Sequence, residues 1–277
     1  MFKILVTTDF SDYSKAGLYF AIQLASQTDC ELTFFHTFHT LVPTSWNAAR
    51  IDNYEKDEAD MLEKKLNSFV ESTYKELNIE PTKTKCVVKS AVFPQSCIAE
   101  YALENNADFI CISTRGAGKI KRILGTNTAN LINNAEVPLI AVPYNYSVKA
   151  IISILYASDL FHYEKEIVKV IAFAKPLHAA IDLLHLTSVL EKLKDLEIIE
   201  NAVKKIADYN IHVNMKTRNP DKSLVSEIEE AVKELHPSMM IMFTEQNRNW
   251  FEKIFLSSKS AEYSFEAKVP LLVFNKS

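Results

Sequence analysis

Residues 114–128 contain the residue types of an anion-binding site. Three of the chain's four glycines lie within ten residues of one another here: Gly116, Gly118 and Gly125. Hydroxyl and basic side chains share the segment: Arg115, Lys119, Lys121, Arg122, Thr126 and Thr128. Glycine lets backbone amides approach a ligand closely, and amides at a helix start favour a bound phosphate. A tight turn with a helix cap and a solvated basic face is the alternative, and the spacing alone does not separate the two.

Two well-known phosphate-binding motifs do not describe this segment. It contains no Gly-x-x-x-x-Gly-Lys-Ser/Thr sequence, so it is not a Walker A loop. Gly116 and Gly118 lack the third glycine of a dinucleotide fingerprint, and they follow the fourth predicted strand rather than the first.

Asp9 is the second candidate binding residue, because it directly follows the first predicted strand. Ligands of a doubly wound sheet bind outside the carboxyl ends of the strands, where the strand order reverses. If strands one and four are neighbours there, Asp9 faces the glycine segment and its carboxylate can accept hydrogen bonds from an adenine amino group or a ribose. The alternative is that Asp9 caps a helix that begins near Ser11, and the two roles are compatible.

Strand and helix patterns alternate in the first half of the chain. The predicted strands cover residues 3–8, 31–38, 84–89, 109–113 and 137–142. Helices are predicted from Ser11, after a long loop over residues 39–54, at residues 94–104 and at residues 126–133. This alternation is typical of an α/β fold with a parallel sheet that is covered on both faces.

The second half repeats the same plan. Asp159 follows a predicted strand as Asp9 does, and the strand ending in His185 corresponds to the strand ending in His36. The two aspartates lie 150 residues apart, whereas the matching Val-Pro pairs lie only 132 apart, so the second copy is shorter. We therefore predict two tandem α/β domains, residues 1–146 and 147–277.

Composition and charge exclude several classes of protein. The 277 residues are 48% hydrophobic and 24% charged, with a net charge of −4, which gives no positive field for nucleic acid or for an anionic membrane. Apolar runs are far shorter than the roughly 20 residues of a membrane span. The four cysteines are irregularly spaced and no Cys/His pattern of a metal site occurs, so we expect free thiols in the cytoplasm and no metal centre.

The chain resembles the universal stress protein family in its tandem, two-domain form. The residues that carry the resemblance are Ile4-Leu5-Val6-Thr7-Thr8-Asp9-Phe10-Ser11, the strand ending in His36, Thr114-Arg115-Gly116-Ala117, Gly125-Thr126-Asn127-Thr128 and Val137-Pro138-Leu139-Ile140-Ala141-Val142. The first 145 residues match well, and the second half matches by pattern only.

The resemblance implies a fold and a ligand. In each domain the fold is a doubly wound, five-stranded parallel sheet with strand order 3-2-1-4-5. The two domains form an intramolecular pseudo-dimer in which Leu139–Val142 lies near Leu271–Phe274. Members that keep the family motif bind ATP, and by position the binding residues here are Asp9, Ile112, Ser113, Gly116, Gly125, Thr126 and Asn127.

The sequence departs from the family motif at two places in the first domain. Ser113 stands where the motif has its first glycine, and eight rather than nine residues separate Gly116 from Gly125. The second domain keeps Asp159 but contains no glycine, and Glu245 adds negative charge to the matching segment. We therefore expect no nucleotide in the second domain.

Together these features predict a cytoplasmic, non-catalytic stress-response protein that binds ATP or a related adenine nucleotide in its first domain. Mg²⁺ is expected only together with the nucleotide, and a second copy of the chain is an expected partner. The alternative function is that of a scaffold or interaction protein without nucleotide. A weak ATPase is a third hypothesis, for which the segment offers no general base or metal-binding carboxylate.

Overall fold

The computed structural model describes residues 1–81, 83–114, 131, 136–187, 196–206, 208–243 and 269–274. The chain divides into two compact units, Met1–Val148 and Lys149–Ser277. The glycine segment beyond Thr114 lies outside the described residues, and so does the predicted helix at residues 126–133 except for Leu131, which is helical and buried.

The first unit alternates strands and helices. Its elements are β1 (Phe2–Thr7), α1 (Lys15–Gln27), β2 (Cys30–Phe38), α2 (Ala48–Leu77), β3 (Lys83–Ser90), α3 (Pro94–Glu104), β4 (Phe109–Ser113) and β5 (Leu139–Val142). The predicted bounds of α3 and β4 are confirmed to the residue, and β2 begins one residue earlier than predicted.

All five strands of the first unit are parallel, in the order β3-β2-β1-β4-β5. The central strand is β1, in which Val6 lies opposite Phe34 of β2 on one side and Cys111 of β4 on the other. The predicted neighbourhood of strands one and four is therefore confirmed.

Side chains of β2 alternate between two helical layers, as the twofold period of a strand requires. The Phe34 ring contacts Tyr74 of α2, with ring centroids 6.3 Å apart. The next residue, Phe35, contacts Tyr101 of α3 at 4.6 Å. Helices α2 and α3 therefore cover opposite faces of the sheet.

Helix α2 begins earlier than the sequence predicts. The predicted loop extends to residue 54, but the loop ends at Asn47, whose side chain accepts a hydrogen bond from Arg50 N at 2.9 Å. An asparagine at this position satisfies an otherwise unpaired amide of the first turn. The buried residues of α2 all lie in its second half, from Leu66 to Tyr74, where the helix packs on the sheet.

The second unit has the same topology. Its elements are β6 (Ser153–Ala157), α4 (Tyr163–Ala174), a short 3₁₀ helix (Lys175–Leu177), β7 (Ala180–Thr187), α5 (Leu196–Ile206), β8 (Ile211–Thr217), α6 (Leu224–Leu235), β9 (Met239–Phe243) and β10 (Leu271–Phe274). Its strands are parallel in the order β8-β7-β6-β9-β10, which is the predicted order 3-2-1-4-5. Within the described part of the chain, no helix combines the length and the apolar character needed to cross a membrane.

Candidate functional site

The carboxyl ends of β1 and β4 form the edge where the sequence places a binding site. The chain leaves β1 toward β2 and enters β4 from β3, so the strand order reverses between these two strands. Helices on opposite faces then leave a crevice at this edge, which is where open α/β sheets bind ligands. On its other side β4 continues into Thr114, whose amide donates to the carbonyl of Val142 at 2.8 Å.

Asp9 lies exposed at this edge, in the loop of residues 8–14 that we call the Asp9 loop. Its Oδ1 accepts hydrogen bonds from the amide of Ser11 at 3.0 Å and from the Ser11 hydroxyl at 2.6 Å. This is an Asx turn, a local bond to the backbone two residues ahead. The prediction that Asp9 caps a helix beginning near Ser11 is wrong, because three turn residues intervene and α1 begins at Lys15 after the cap residue Ser14.

The Asp9 loop holds one residue in an unfavourable backbone conformation. Phe10 has φ of 62°, in the left-handed region that a bulky side chain rarely adopts. Its amide donates to Oγ1 of Thr8 at 3.1 Å, and the same oxygen lies 2.8 Å from Oγ of Ser14. The buried Thr8 hydroxyl therefore ties the start of the loop to the start of α1.

His36 supports the Asp9 loop from β2. Its Nδ1 lies 2.8 Å from the carbonyl oxygen of Thr8, and since a carbonyl only accepts, Nδ1 carries the proton. The imidazole packs against the Phe10 ring with centroids 4.3 Å apart, and Nζ of Lys65 lies 4.4 Å from the centre of that ring. Burial lowers the pKa of His36 below its ordinary value, against the opposing effect of the Thr8 hydrogen bond.

Ser113, the residue in place of the motif's first glycine, directs its hydroxyl toward the Asp9 loop rather than away from the protein. Its Oγ donates to the carbonyl of Tyr13 at 2.6 Å, and the side chain is buried. The neighbouring Ile112 lies on the opposite face of β4 and is half-buried. The serine side chain thus fastens the Asp9 loop to the end of β4.

Helix α1 packs very closely against β4 at this point. A Cβ added to Gly17 would lie 3.3 Å from the backbone nitrogen of Ser113, a tight contact with atoms that cannot move aside. The Sγ of Cys111 also lies 3.4 Å from the carbonyl of Gly17. Gly17 therefore permits the close approach, a role that the sequence analysis missed although Gly17 is the only glycine outside the clustered segment.

Three of the seven predicted site residues are thus brought to one edge of the sheet: Asp9, Ile112 and Ser113. The other four lie outside the described residues: Gly116, Gly125, Thr126 and Asn127. The structure adds His36 and Gly17, which position the backbone of the loop and of β4.

The second unit reproduces three hydrogen bonds of the Asp9 loop. Asp159 Oδ1 accepts from the amide of Phe161 at 2.9 Å, and Ser158 Oγ accepts from the amide of Leu160 at 3.1 Å. Leu160 has φ of 61°, and Nδ1 of His185 donates to the Ser158 carbonyl at 2.9 Å. The prediction that His36 and His185 mark a repeated feature is confirmed.

The space between α4 and β9 in the second unit is filled by large side chains. Phe243 ends β9 as Ser113 ends β4, and its ring stacks on Phe274 with centroids 4.9 Å apart. Tyr156 meets Phe243 edge to face at 5.8 Å, and its hydroxyl donates to the buried carboxylate of Glu166. In the first unit, Val6 occupies the position of Tyr156 and Ala16 occupies the position of Glu166.

Comparisons with known proteins agree with this architecture. The model of the universal stress protein family matches residues 1–143. Among solved structures, a universal stress protein from Archaeoglobus fulgidus DSM 4304 has a TM-score of 0.69 at 17% identity, over 99% of this chain and 98% of that one. A protein of Pseudomonas aeruginosa UCBPP-PA14, provisionally named a universal stress protein, has a TM-score of 0.54 at 14% identity, over 99% and 92%.

A universal stress protein solved in complex with cAMP covers 51% of this chain and 96% of its own, at 19% identity and a TM-score of 0.38. No curated protein matches the sequence significantly. At these identities the solved structures establish the fold, and the family model establishes the family.

Proposed function

The chain belongs to the universal stress protein family, and we propose that its first unit binds ATP or a related adenine nucleotide as a non-catalytic regulator in the cytoplasm. The observation that carries the proposal is the meeting of the exposed Asp9 carboxylate and the end of β4 at the strand-reversal edge. Ligands of doubly wound sheets bind at this position.

Asp9 is proposed to contact the base and ribose end of the nucleotide. A carboxylate accepts hydrogen bonds, which suits an adenine amino group or ribose hydroxyls. The two bonds from Ser11 fix the Oδ1 side of this carboxylate, so its orientation is set before a ligand arrives. Such preorganisation reduces the entropy lost on binding.

Ser113 is compatible with a nucleotide at the same edge. The hydroxyl of this residue is bound to the Tyr13 carbonyl on the α1 face, so the replacement of glycine by serine adds its side chain to the protein interior. Ile112 supplies the half-buried apolar contact on the other face of the strand.

The phosphates are proposed to bind Gly116, Gly125, Thr126 and Asn127. The sequence supports this part, through glycines that admit the backbone amides, a threonine hydroxyl and four nearby basic side chains. Mg²⁺ would enter with the nucleotide and neutralise part of the phosphate charge.

A binding role is favoured over hydrolysis by the position of the acidic group. Hydrolysis of a nucleoside triphosphate needs groups that orient water and neutralise charge at the terminal phosphate. In the proposed pose Asp9 lies at the base and ribose end instead.

Calorimetric titration with millimolar ATP and Mg²⁺ tests the proposal, together with mass spectrometry of any nucleotide released by the denatured protein. We expect saturable heat from the wild type and none from Gly125→Asp, in which a carboxylate repels the phosphates. An unchanged thermal unfolding midpoint of the variant without ligand shows that it is folded. Absence of both heat and released nucleotide from the wild type contradicts the proposal.

We propose that the second unit binds no nucleotide and contributes as a scaffold. The specific observation in favour is the packed cluster of Tyr156, Phe243 and Phe274 beneath the edge that would bind the ligand. Hydrogen exchange with and without ATP tests this. We expect ATP to protect backbone amides from exchange only at the ends of β1 and β4. Protection of amides at the ends of β6 and β9 would contradict the proposal.

A further inference from the structure

His36 is the one ionisable side chain that bonds to the backbone of the Asp9 loop from another strand, among the residues that the structure describes. Its Nδ1–H donates to the carbonyl of Thr8, the residue directly before Asp9. The imidazole faces α2 on the same side of β2 as Phe34, which contacts Tyr74 of that helix. His36 therefore supports Asp9 through a hydrogen bond to the neighbouring backbone.

The Asp9 loop needs such an external support. Phe10 holds a left-handed conformation, which is unfavourable for a residue other than glycine. This conformation persists only where surrounding contacts determine it, and here they are the Thr8 hydroxyl, which accepts from the Phe10 amide, and the imidazole, which packs on the Phe10 ring. The direction of the Asp9 carboxylate depends on this same backbone.

We propose that His36 is a positioning residue of the nucleotide site. Its Nδ1–H holds the Thr8 carbonyl and thereby presents the Asp9 carboxylate in the orientation that meets the base and ribose of the nucleotide. The inference rests on the proposed function of the first unit and assigns to His36 a role in affinity as well as in stability.

The repeat supplies an internal control for this role. His185 makes the same bond to the carbonyl of Ser158, at 2.9 Å against 2.8 Å for His36. Loss of either bond removes the donor to the carbonyl directly before an aspartate, but only His36 supports a loop that is proposed to bind nucleotide. A purely structural role predicts that loss of His36 and loss of His185 affect ATP affinity equally, whereas a positioning role predicts that only loss of His36 weakens it.

The test compares His36→Leu with His36→Asn. The amide nitrogen of asparagine occupies the position of Nδ1 and can donate to the Thr8 carbonyl, whereas leucine has similar size and no donor. We expect His36→Leu to weaken ATP binding about fivefold, the factor that corresponds to one neutral hydrogen bond, because the competent loop conformation is less populated. His36→Asn is expected to retain most of the wild-type affinity.

His185→Leu is the matched control. We expect it to lower the thermal unfolding midpoint about as much as His36→Leu, while ATP affinity stays at the wild-type value. Equal ATP affinity of His36→Leu and the wild type overturns the inference, and so does equal loss of affinity in His36→Leu and His36→Asn. Absence of ATP binding by the wild type would contradict the proposed function, whereas binding that His36→Leu leaves unchanged would contradict only the role of His36. The two failures are therefore distinguishable.

Discussion

The two units pack their first helix against the sheet in different ways, although they share one topology. In the first unit Gly17 lets α1 approach the backbone of Ser113. In the second unit Ile167 occupies the position of Gly17, and Phe243 occupies that of Ser113. Small residues in one copy are thus replaced by large ones in the other, at the edge where a ligand would bind.

The difference between the two units lies beneath the binding edge, because the main features of the loop above it occur in both. The aspartate, the left-handed residue and the supporting histidine are present in both units. The second unit contains no glycine and packs larger side chains beneath the edge, but it has the aspartate loop. The loop is therefore a part of the fold itself, and the packing beneath it distinguishes the two units.

The largest effect on the first unit is expected from transferring the second unit's residue into it. Gly17→Ile places four carbon atoms where a single Cβ would already lie 3.3 Å from Ser113 N. Overpacking of this kind costs about 1–3 kcal/mol, and we expect the upper part of that range in urea unfolding. Gly17→Ala is the control, because its tight Cβ contact is offset by about 1 kcal/mol of helix propensity.

An Ile167→Gly exchange provides the reverse test of the same contrast. It removes a buried side chain from α4 and should cost at least the 2–5 kcal/mol typical of a large-to-small core substitution. If Gly17→Ile leaves the unfolding free energy unchanged, the close approach of α1 does not distinguish the two units.

A smaller loss is expected when the buried hydrogen bond of the second unit is removed. Tyr156→Phe leaves the Glu166 carboxylate buried without the hydroxyl that donates to it. Hydrogen bonds to charged groups contribute about 1.5–3 kcal/mol, so we expect a loss of about 2 kcal/mol in urea unfolding. The exposed Tyr54→Phe should be neutral, and equal effects of the two changes would argue against a structural role for the buried bond.

Loss of the serine hydroxyl at the end of β4 should cost about 1 kcal/mol. Ser113→Ala removes the bond to the Tyr13 carbonyl and leaves that acceptor at a partly buried position. Ser90→Ala, at an exposed residue, is the control and should change the unfolding free energy by less than about 0.5 kcal/mol. A neutral Ser113→Ala would show that the hydroxyl does not fasten the loop.

The smallest expected effect is a pH dependence of the first unit's stability. Since the pKa of folded His36 lies below 6.5, the unfolded chain binds the proton first as pH falls, and stability decreases from about pH 6.5 down to the folded pKa. Fluorescence of Trp46 in a Trp250→Phe background reports on this unit. The change of the unfolding free energy with pH should be smaller in His36→Asn than in the wild type. Equal changes in the two proteins would contradict the assignment of this pH dependence to His36.

Local signals in the sequence were enough to predict several elements and their order. Pro94 fixes the first turn of α3, and the apolar run of β4 ends at Ser113, so both elements were predicted to the residue. The start of α2 was missed because Asn47 stands in a stretch with Pro43 and Trp46 that is typical of a loop.

The contacts that build the site were harder to predict, because they join residues far apart in the chain. The close approach of Gly17 to Ser113 and the bond from Ser113 to Tyr13 each span about a hundred residues. The local sequence around Asp9 suggested a helix cap, but it does not reveal that the Asx turn ends before α1 begins. The role of His36 was signalled only by its repetition as His185.

Calorimetric titration of ATP and Mg²⁺ into Asp9→Ala and Asp159→Ala tests the central claim most directly, since these two aspartates sit in matching loops. The account predicts one nucleotide per chain for the wild type, at least tenfold weaker binding in Asp9→Ala, as expected for a charged hydrogen bond, and unchanged binding in Asp159→Ala. Two nucleotides per chain, or equal losses in the two variants, would contradict it.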